Sequence, residues 1–228
     1  MSKHFNDPER AADILQEFVL PERLERMNQV LAQRSSSLTI VLDRIHHEHN
    51  ISAVLRSADA FGVSSVQIIG GSFRPSSGVA LGAERWLEIR RFENAAESIA
   101  ALKQDRFEIV TLQPFEKSFG CLQPVPIFNL PFDRKLALVF GNEVDGVDAQ
   151  FLEHAQHGAY IPMFGFVESL NISVAAAICL FCSTLPSETA ATRRFQGLSQ
   201  EKQQELRGRW LQRDVRGAEL ILKRSSAD

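Results

Sequence analysis

The chain has 228 residues, which suits one sizeable domain with appendages or two small domains. Hydrophobic residues make up 44% of it, which excludes a largely disordered chain, and the net charge of −3 excludes a global basic field for nucleic acid. Three cysteines suit a reducing compartment, and because Cys179 and Cys182 lie in an apolar run without a second ligand pair, a core position is favoured over a metal site.

The amino-terminal sequence lacks the apolar stretch of a secretory signal, and no run approaches the 18 apolar residues of a membrane-spanning helix. We therefore expect a cytoplasmic protein without a membrane partner, in which the two Asn-Ile-Ser sequences carry no glycan. Residues 1–37 are predicted to form a helical N-terminal extension. Within it, residues 8–35 show helical periodicity, and Pro8 and Pro21 suit first-turn positions.

After Ser37 the pattern changes to short apolar runs that alternate with helical segments. This alternation is typical of an α/β fold in which a mostly parallel sheet carries helices on both faces. The predicted strands span residues 38–43, 65–70, 86–92, 107–112, 135–140 and 158–163. The predicted helices span residues 50–61, 94–104 (with Asn94 as N-cap) and 169–183. The Pro-rich stretch 113–134 is predicted to be loop, and the central domain to span residues 38–185.

Residues 186–228 are predicted to form a helical C-terminal extension. They contain nine Lys/Arg and six Asp/Glu, a net charge of +3 on an otherwise acidic chain. Such a segment indicates either an anionic partner or a solvated helix face, and charge alone does not decide between them.

Several common site patterns are missing from the sequence. It contains no phosphate-binding P-loop, no Gly-rich dinucleotide turn after a strand and no nucleophile elbow. His46, His47 and His49 surround Glu48, but their spacing matches no zinc template. No metal site is therefore predicted.

Three strand-to-loop junctions remain as candidates for chemistry, and the first is "LDRIHHEHNISAVLR". Asn50 is predicted to cap a helix there, with Arg56 six residues further on. An Arg near a helix N-terminus forms an anion site with planar donors. An ordinary strand–helix unit with a surface Arg is the alternative.

The second junction, "LVFGNEVDG", directly follows a buried strand. Gly141 and Gly146 bracket it, and ligands of open α/β sheets bind at the carboxyl ends of strands. Glu143 would then serve as a hydrogen-bond acceptor, a base or a partner for an Arg. A simple turn explains the stretch equally well.

The third junction, "YIPMFGFVESLNISVAAAICLF", leads from a short strand through a loop into a helix. Ser169 or Asn171 is predicted to cap this helix. Its apolar residues run almost all round, which indicates burial in the core or at a subunit interface.

In this order, the three junctions resemble the three motifs of the SPOUT methyltransferases, most closely the TrmH branch of tRNA ribose 2′-O-methyltransferases. Asn50 with Arg56 matches the first motif, Gly141-Asn142-Glu143 the second, and "IPMFGFVESLNISVAAA" the third. The resemblance covers about residues 38–183. Both flanking extensions also resemble those of the tRNA guanosine-18 enzymes.

The resemblance implies an α/β sheet whose C-terminal part forms a trefoil knot, and a homodimer packed through the knot region. It implies S-adenosylmethionine as cofactor, held bent in the knot mostly by backbone groups. Carried over by position, the cofactor contacts fall at Thr111, Leu112, Gly141, Ile161, Met163 and Leu170. Backbone binding of this kind would explain why the sequence has no Gly-rich cofactor turn.

The implied reaction is attack of a ribose 2′-oxygen on the sulfonium methyl group. The family's proposed base corresponds to Arg56, although a guanidinium keeps its proton up to a pH of about 12. Two roles stay open for Arg56: taking the proton, or binding phosphate and polarising the hydroxyl. Four further residues would shape the pocket, so that both Asn-Ile-Ser helix starts line one site: Asn50, Glu143, Ser169 and Asn171.

The resemblance favours tRNA as the partner and guanosine 18 of the D-loop as the target. Ribose methylation of ribosomal RNA or of another tRNA position is one alternative. A knotted RNA-binding protein with little catalysis is another.

Overall fold

The computed structural model describes residues 7–70, 80, 82–117, 120–185 and 196–225. The chain divides into two compact units, one built from residues 1–34 with 197–228 and one from residues 35–196. The first unit thus combines segments from the two ends of the chain.

The helices, in chain order, are α1 (Pro8–Leu15), α2 (Pro21–Ala32), α3 (Glu48–Ala60), α4 (Ala95–Gln104), α5 (Ala149–His154), α6 (Ile172–Thr184), α7 (Gln200–Asp214) and α8 (Ala218–Arg224). The strands are β1 (Ser35–Asp43), β2 (Val63–Ile69), β3 (Glu88–Phe92), β4 (Glu108–Leu112), β5 (Val125–Pro126), β6 (Leu136–Phe140) and β7 (His157–Tyr160). Short 3-10 turns occupy Gln16–Phe18, Ala83–Arg85 and Ile127–Asn129. No helix among the described residues is long and apolar enough to cross a membrane.

The unit of residues 35–196 is built on a parallel sheet with the strand order β3-β2-β1-β6-β4-β7-β5. Every neighbouring pair of these strands is parallel. The carboxyl ends of β1, β4, β6 and β7 therefore lie at one edge, where ligands of α/β proteins bind.

Helices cover both faces of this sheet, as the sequence predicts. Along β1, Ile40 and Leu42 belong to a buried cluster with side chains of α3 and α6. Val41 between them packs in a second cluster with side chains of α4 and α5. This alternation is the two-residue period of a strand that is buried on both faces.

The unit formed by the two ends of the chain is helical. Asp7 caps α1 by accepting a hydrogen bond from the Arg10 backbone N–H at 3.1 Å. Helices α1 and α7 approach closely, because a side chain at Gly208 would lie 1.7 Å from the Pro8 carbonyl oxygen. A glycine is therefore required at this crossing.

Several predicted element boundaries differ from the structure, and the stretch 113–134, predicted to be loop, contains β5 and a 3-10 turn. The helix predicted over 8–35 is broken, since Val19 and Leu20 are extended before Pro21. The C-terminal helix breaks at Gly217, which has a φ of +76°. The strand predicted over 158–163 ends at Tyr160.

The two helix ends at the Asn-Ile-Ser sequences also differ from each other. The prediction that Asn50 caps α3 is wrong, because α3 begins at Glu48 with His47 at the N-cap. Asn50 instead lies within the first turn, where its side chain is free to bond elsewhere. Asn171, not Ser169, caps α6, and Asn94 caps α4 as predicted.

Candidate active site at the carboxyl edge of the sheet

A cavity of about 370 Å³ opens at the carboxyl ends of β4, β6 and β7. Its volume falls within the range of small-molecule binding sites, roughly 300 to 1,000 Å³. The segments that follow these three strands and the start of α6 form its wall: residues 112–114, 116–117, 140–147, 160–161, 163, 168–170, 172, 175 and 179.

The loop after β6 is folded tightly on itself. Asn142 and Gly146 exchange two backbone hydrogen bonds of 3.1 Å, and the Asn142 side-chain oxygen accepts from the Val144 and Asp145 backbone N–H groups. A side chain at Gly141 would lie 2.0 Å from the carbonyl carbon of Gly146. The backbone contact therefore requires glycine at 141, and it presents Glu143 to the cavity.

A chain of hydrogen bonds joins the three sequence junctions. The Asn171 oxygen caps α6 by accepting from the Ser173 N–H at 2.8 Å, and Asn171 Nδ2 donates to Asn50 Oδ1 at 3.1 Å. Asn50 Nδ2 in turn donates to Glu143 Oε1 at 2.8 Å. Each amide thus uses its oxygen as an acceptor and its nitrogen as a donor. This chain orients the Glu143 carboxylate and places both Asn-Ile-Ser helix starts at one site.

Arg56 lies elsewhere on α3. Its side chain is exposed, and it does not belong to the cavity wall. Ser169 does line the cavity, beside the loop that leads into α6. Of the five predicted catalytic residues, Glu143 and Ser169 therefore line the cavity. Asn50 and Asn171 lie outside its wall and are connected to it through the hydrogen bond to Glu143, whereas Arg56 is exposed.

Most of the predicted cofactor contacts lie in the cavity wall. Five of the six line it: Leu112, Gly141, Ile161, Met163 and Leu170. Thr111 does not, because it is fully buried within β4 and its hydroxyl donates to the His157 carbonyl at 3.4 Å.

The sequence did not point to several other residues of the wall: Gln113, Lys117, Tyr160, Glu168 and Cys179. Tyr160 is the final residue of β7, so a correctly placed strand end would have identified it. Cys179 is buried on α6, and this burial raises the pKa of its thiol above the ordinary range. It therefore lines the cavity as a neutral apolar group.

The charged residues of the wall are mostly acidic. The wall contains one ammonium group, that of Lys117, and the carboxylates of Glu116, Glu143, Asp145 and Glu168. Because opposite charges attract strongly where water is partly excluded, this wall favours a ligand that carries a positive centre. Among the described residues, no group of three or more His, Cys, Asp or Glu is placed to hold a metal ion.

A buried carboxylate supports the cavity from the end of β1. Asp43 accepts from the Asp148 backbone N–H at 2.8 Å and from Arg44 Nε at 3.1 Å. Burial raises the pKa of Asp43, although these two hydrogen bonds act in the opposite direction. Asp43 thereby ties β1 to the residue that follows the Gly141–Val147 loop and caps α5.

Comparison with known proteins identifies the family of the chain. Residues 37–181 match the SpoU rRNA Methylase family. A tRNA (guanosine(18)-2′-O)-methyltransferase of Aquifex aeolicus is 30% identical over 205 residues, which cover 89% of this chain and 94% of the relative. A protein of the same name from Borreliella burgdorferi is 34% identical over 170 residues, or 74% of this chain and 75% of the relative.

The crystal structure of the A. aeolicus TrmH/SpoU tRNA modifying enzyme aligns with a TM-score of 0.72 at 29% sequence identity. The alignment covers 86% of this chain and 98% of that one. The resemblance predicted from the three motifs is thereby confirmed.

Proposed function

The chain belongs to the SpoU rRNA Methylase family, and we propose that it methylates the ribose 2′-hydroxyl of guanosine 18 in the D-loop of tRNA. The observation that carries this proposal is the hydrogen-bond chain of Asn50, Glu143 and Asn171, which joins the three motifs at one cavity. The names of the A. aeolicus and B. burgdorferi relatives support the choice of tRNA and of guanosine 18.

The cofactor in this proposal is S-adenosylmethionine, which supplies an electrophilic methyl group on a positively charged sulfur. The acidic wall suits that sulfonium charge, with Glu143, Asp145 and Glu168 among its carboxylates. Leu112, Gly141 and Leu170 would hold the cofactor through backbone groups. The required glycine at 141 supports this role, because it keeps the backbone at the wall bare.

The chain's own polar groups would position the RNA. The Asn50 donor fixes one oxygen of Glu143, which leaves the other to accept a hydrogen bond from the ribose. Arg56 would face the RNA from the exposed side of α3, either taking the hydroxyl proton or binding phosphate and polarising the hydroxyl. When the ribose hydroxyl and the methyl group are held in position, their reaction proceeds as if both belonged to one molecule, which lowers its entropic cost.

The proposal includes the trefoil knot and the homodimer that the family resemblance implies. Val174 and Phe181 leave apolar surface exposed on α6, and this surface suits a second copy of the chain. The proposed tRNA substrate places the enzyme in the cytoplasm.

The terminal helices offer further contacts to tRNA. Arg216 and Arg224 are exposed on the segment that ends α7 and forms α8. Over the sequence, residues 1–34 and 197–228 contain 12 Lys/Arg and 11 Asp/Glu (net +1), against 13 and 17 (net −4) in residues 35–196. The terminal unit therefore repels the RNA phosphates less than the unit of residues 35–196 does.

Nucleoside mass spectrometry tests the proposed function. An unmodified tRNA transcript is incubated with the protein and S-adenosylmethionine, and a matched transcript carries 2′-deoxyguanosine at position 18. We expect 2′-O-methylguanosine in the first transcript and none in the second. Methylation of both transcripts would move the target to another nucleotide.

Methylation of ribosomal RNA alone, under the same conditions, would replace tRNA as the substrate. Binding of the cofactor without a product on any RNA would favour the non-catalytic alternative.

A further inference from the structure

Two phenyl rings project from the loop between β7 and α6. The side chains of Phe164 and Phe166 have relative exposures of 98% and 109%, and Val167 beside them is also exposed. A side chain at Gly165, between the rings, would meet nothing within 4 Å. An apolar patch of this kind on a loop indicates a contact with another molecule.

The rings belong to a loop whose two ends lie in the cavity wall. Met163, directly before Phe164, lines the cavity, and so do Glu168 and Ser169 just after the exposed stretch. Both ends of this aromatic loop, residues 164–167, are therefore anchored in the cavity wall while its middle faces solvent. A molecule that enters the cavity from this side passes the rings.

The acidic net charge of this unit weakens RNA binding through phosphate contacts. Residues 35–196 carry a net charge of −4, which opposes the phosphate contacts that usually dominate RNA affinity. Stacking of an unpaired base on an aromatic ring adds roughly 1 to 3 kcal/mol per base and does not depend on net charge. Proteins that recognise RNA loops commonly hold splayed bases in this way.

We infer that Phe164 and Phe166 are a stacking platform for unpaired nucleobases next to the ribose that enters the cavity. This inference rests on the proposed function and extends it to how the RNA is held. A second copy of the chain is the competing occupant. Val174 and Phe181 on α6 offer such a copy other exposed apolar side chains, so it does not need the rings.

Apolar variants with and without aromatic rings at these positions distinguish a stacked nucleobase from a second copy of the chain. The set is Phe164→Leu/Phe166→Leu, the corresponding double Trp variant, and Phe128→Leu as the control for a half-exposed ring outside the cavity wall. The measurements are KM and kcat with tRNA, the Kd of S-adenosylmethionine by calorimetry, and mass by light scattering.

Stacking predicts that the double Leu variant raises KM for tRNA by about tenfold or more, while the Kd of the cofactor and the mass stay unchanged. The Trp variant should bind tRNA at least as well as the wild type, and Phe128→Leu should leave KM unaltered. Equal KM values for the Leu variant and the wild type would overturn the inference. A loss of mass in the Leu variant would assign the rings to a subunit interface instead.

A catalysis-independent probe keeps this test separate from the proposed function. A short single-stranded RNA that contains 2-aminopurine loses fluorescence when its base stacks. The wild type should quench it and the double Leu variant should not. Quenching without any methyl transfer would reject the proposed function and retain the platform, whereas methyl transfer without a difference in quenching would reject the platform alone.

Discussion

The two edges of the parallel sheet carry polar groups of different kinds. At the amino edge, Glu108 Oε2 bonds His157 Nε2 at 2.6 Å in a partly exposed pair. At the carboxyl edge, the amides of Asn50 and Asn171 lead to the Glu143 carboxylate beside a cavity. Thus one edge joins ionisable side chains of adjacent strands at the surface, and the other joins segments that are far apart in sequence.

This difference between the two edges indicates which of them carries the functional site. Surface pairs like those of the amino edge contribute little, typically below about 1 kcal/mol. The carboxyl edge instead places carboxylates together and brings polar groups out of water, both of which cost folding energy. Groups that converge on a cavity at such a cost indicate a site for a ligand.

The largest expected effect comes from Arg56. Its replacement by Ala should lower methyl transfer by at least about 100-fold, since it removes the group that we propose takes the hydroxyl proton or binds the phosphate. The fold and the affinity for S-adenosylmethionine should not change, because Arg56 lies outside the cavity wall. The matched control is Arg134→Ala at the amino edge, and single-turnover rates with circular dichroism provide the measurements. Wild-type rates in Arg56→Ala would contradict the proposed role of Arg56 in methyl transfer.

Replacement of Gly141 by Ala tests the tight loop after β6. The added methyl group overlaps Gly146, so the loop must move at a cost of about 1 to 3 kcal/mol. We expect the affinity for S-adenosylmethionine to fall by about tenfold or more in calorimetry. Gly165→Ala is the control, because its methyl group meets open space. Equal losses in both variants would show that the overlap at Gly141 is not the cause.

Glu143→Gln and Glu108→Gln compare the contributions of the carboxyl edge and the amino edge to activity. In Glu143→Gln the oxygen of the new amide would still accept from Asn50, but an NH₂ group, which only donates, replaces the second carboxylate oxygen, so both the charge and the free acceptor are lost. We expect roughly a tenfold fall in kcat/KM for tRNA without a lower Tm, as the base or acceptor is weakened. Glu108→Gln should leave kcat/KM unchanged. The comparison fails if Glu108→Gln lowers activity as much as Glu143→Gln does.

The smallest expected effect is the pH dependence of the amino edge. Burial alone would raise the pKa of Glu108, but the His157 hydrogen bond and the charge of Arg134 outweigh it and lower this pKa. The pair therefore stabilises the fold above the ordinary Glu pKa, and the benefit is lost as the pH falls through the lowered value. Glu108→Gln should reduce the free energy of unfolding by less than about 1 kcal/mol at neutral pH. Urea unfolding at several pH values should show the difference vanish in acid; a constant difference would contradict this account.

The sequence predicted the sheet well because its strands are short apolar runs between helical segments. The order of junctions also located the edge at which Glu143 and Asn171 meet. Asn50 shows the limit: its residue type favours a cap, but its side chain bonds Asn171, 121 positions away, and no local pattern encodes that contact.

Two other features were not predicted from the sequence, for related reasons. The end of β7 at Tyr160 depends on pairing with the two-residue strand β5, which has no periodicity of its own. The +3 charge of residues 186–228 suggested a basic tail, yet only residues 197–228 (net +2) belong to the helical unit, where residues 1–34 (net −1) lower the net charge to +1. Charge counted along the chain therefore overstates the field that a partner meets in space.

The most direct test is hydrogen–deuterium exchange with and without S-adenosylmethionine. The account predicts slower exchange with the cofactor in residues 112–117, 141–147 and 160–172, which form the cavity wall. Residues 103–109 and 154–158 at the amino edge should exchange at the same rate in both samples. Protection at the amino edge, or none at the cavity wall when the cofactor is bound, would contradict the assignment of the site to the carboxyl edge.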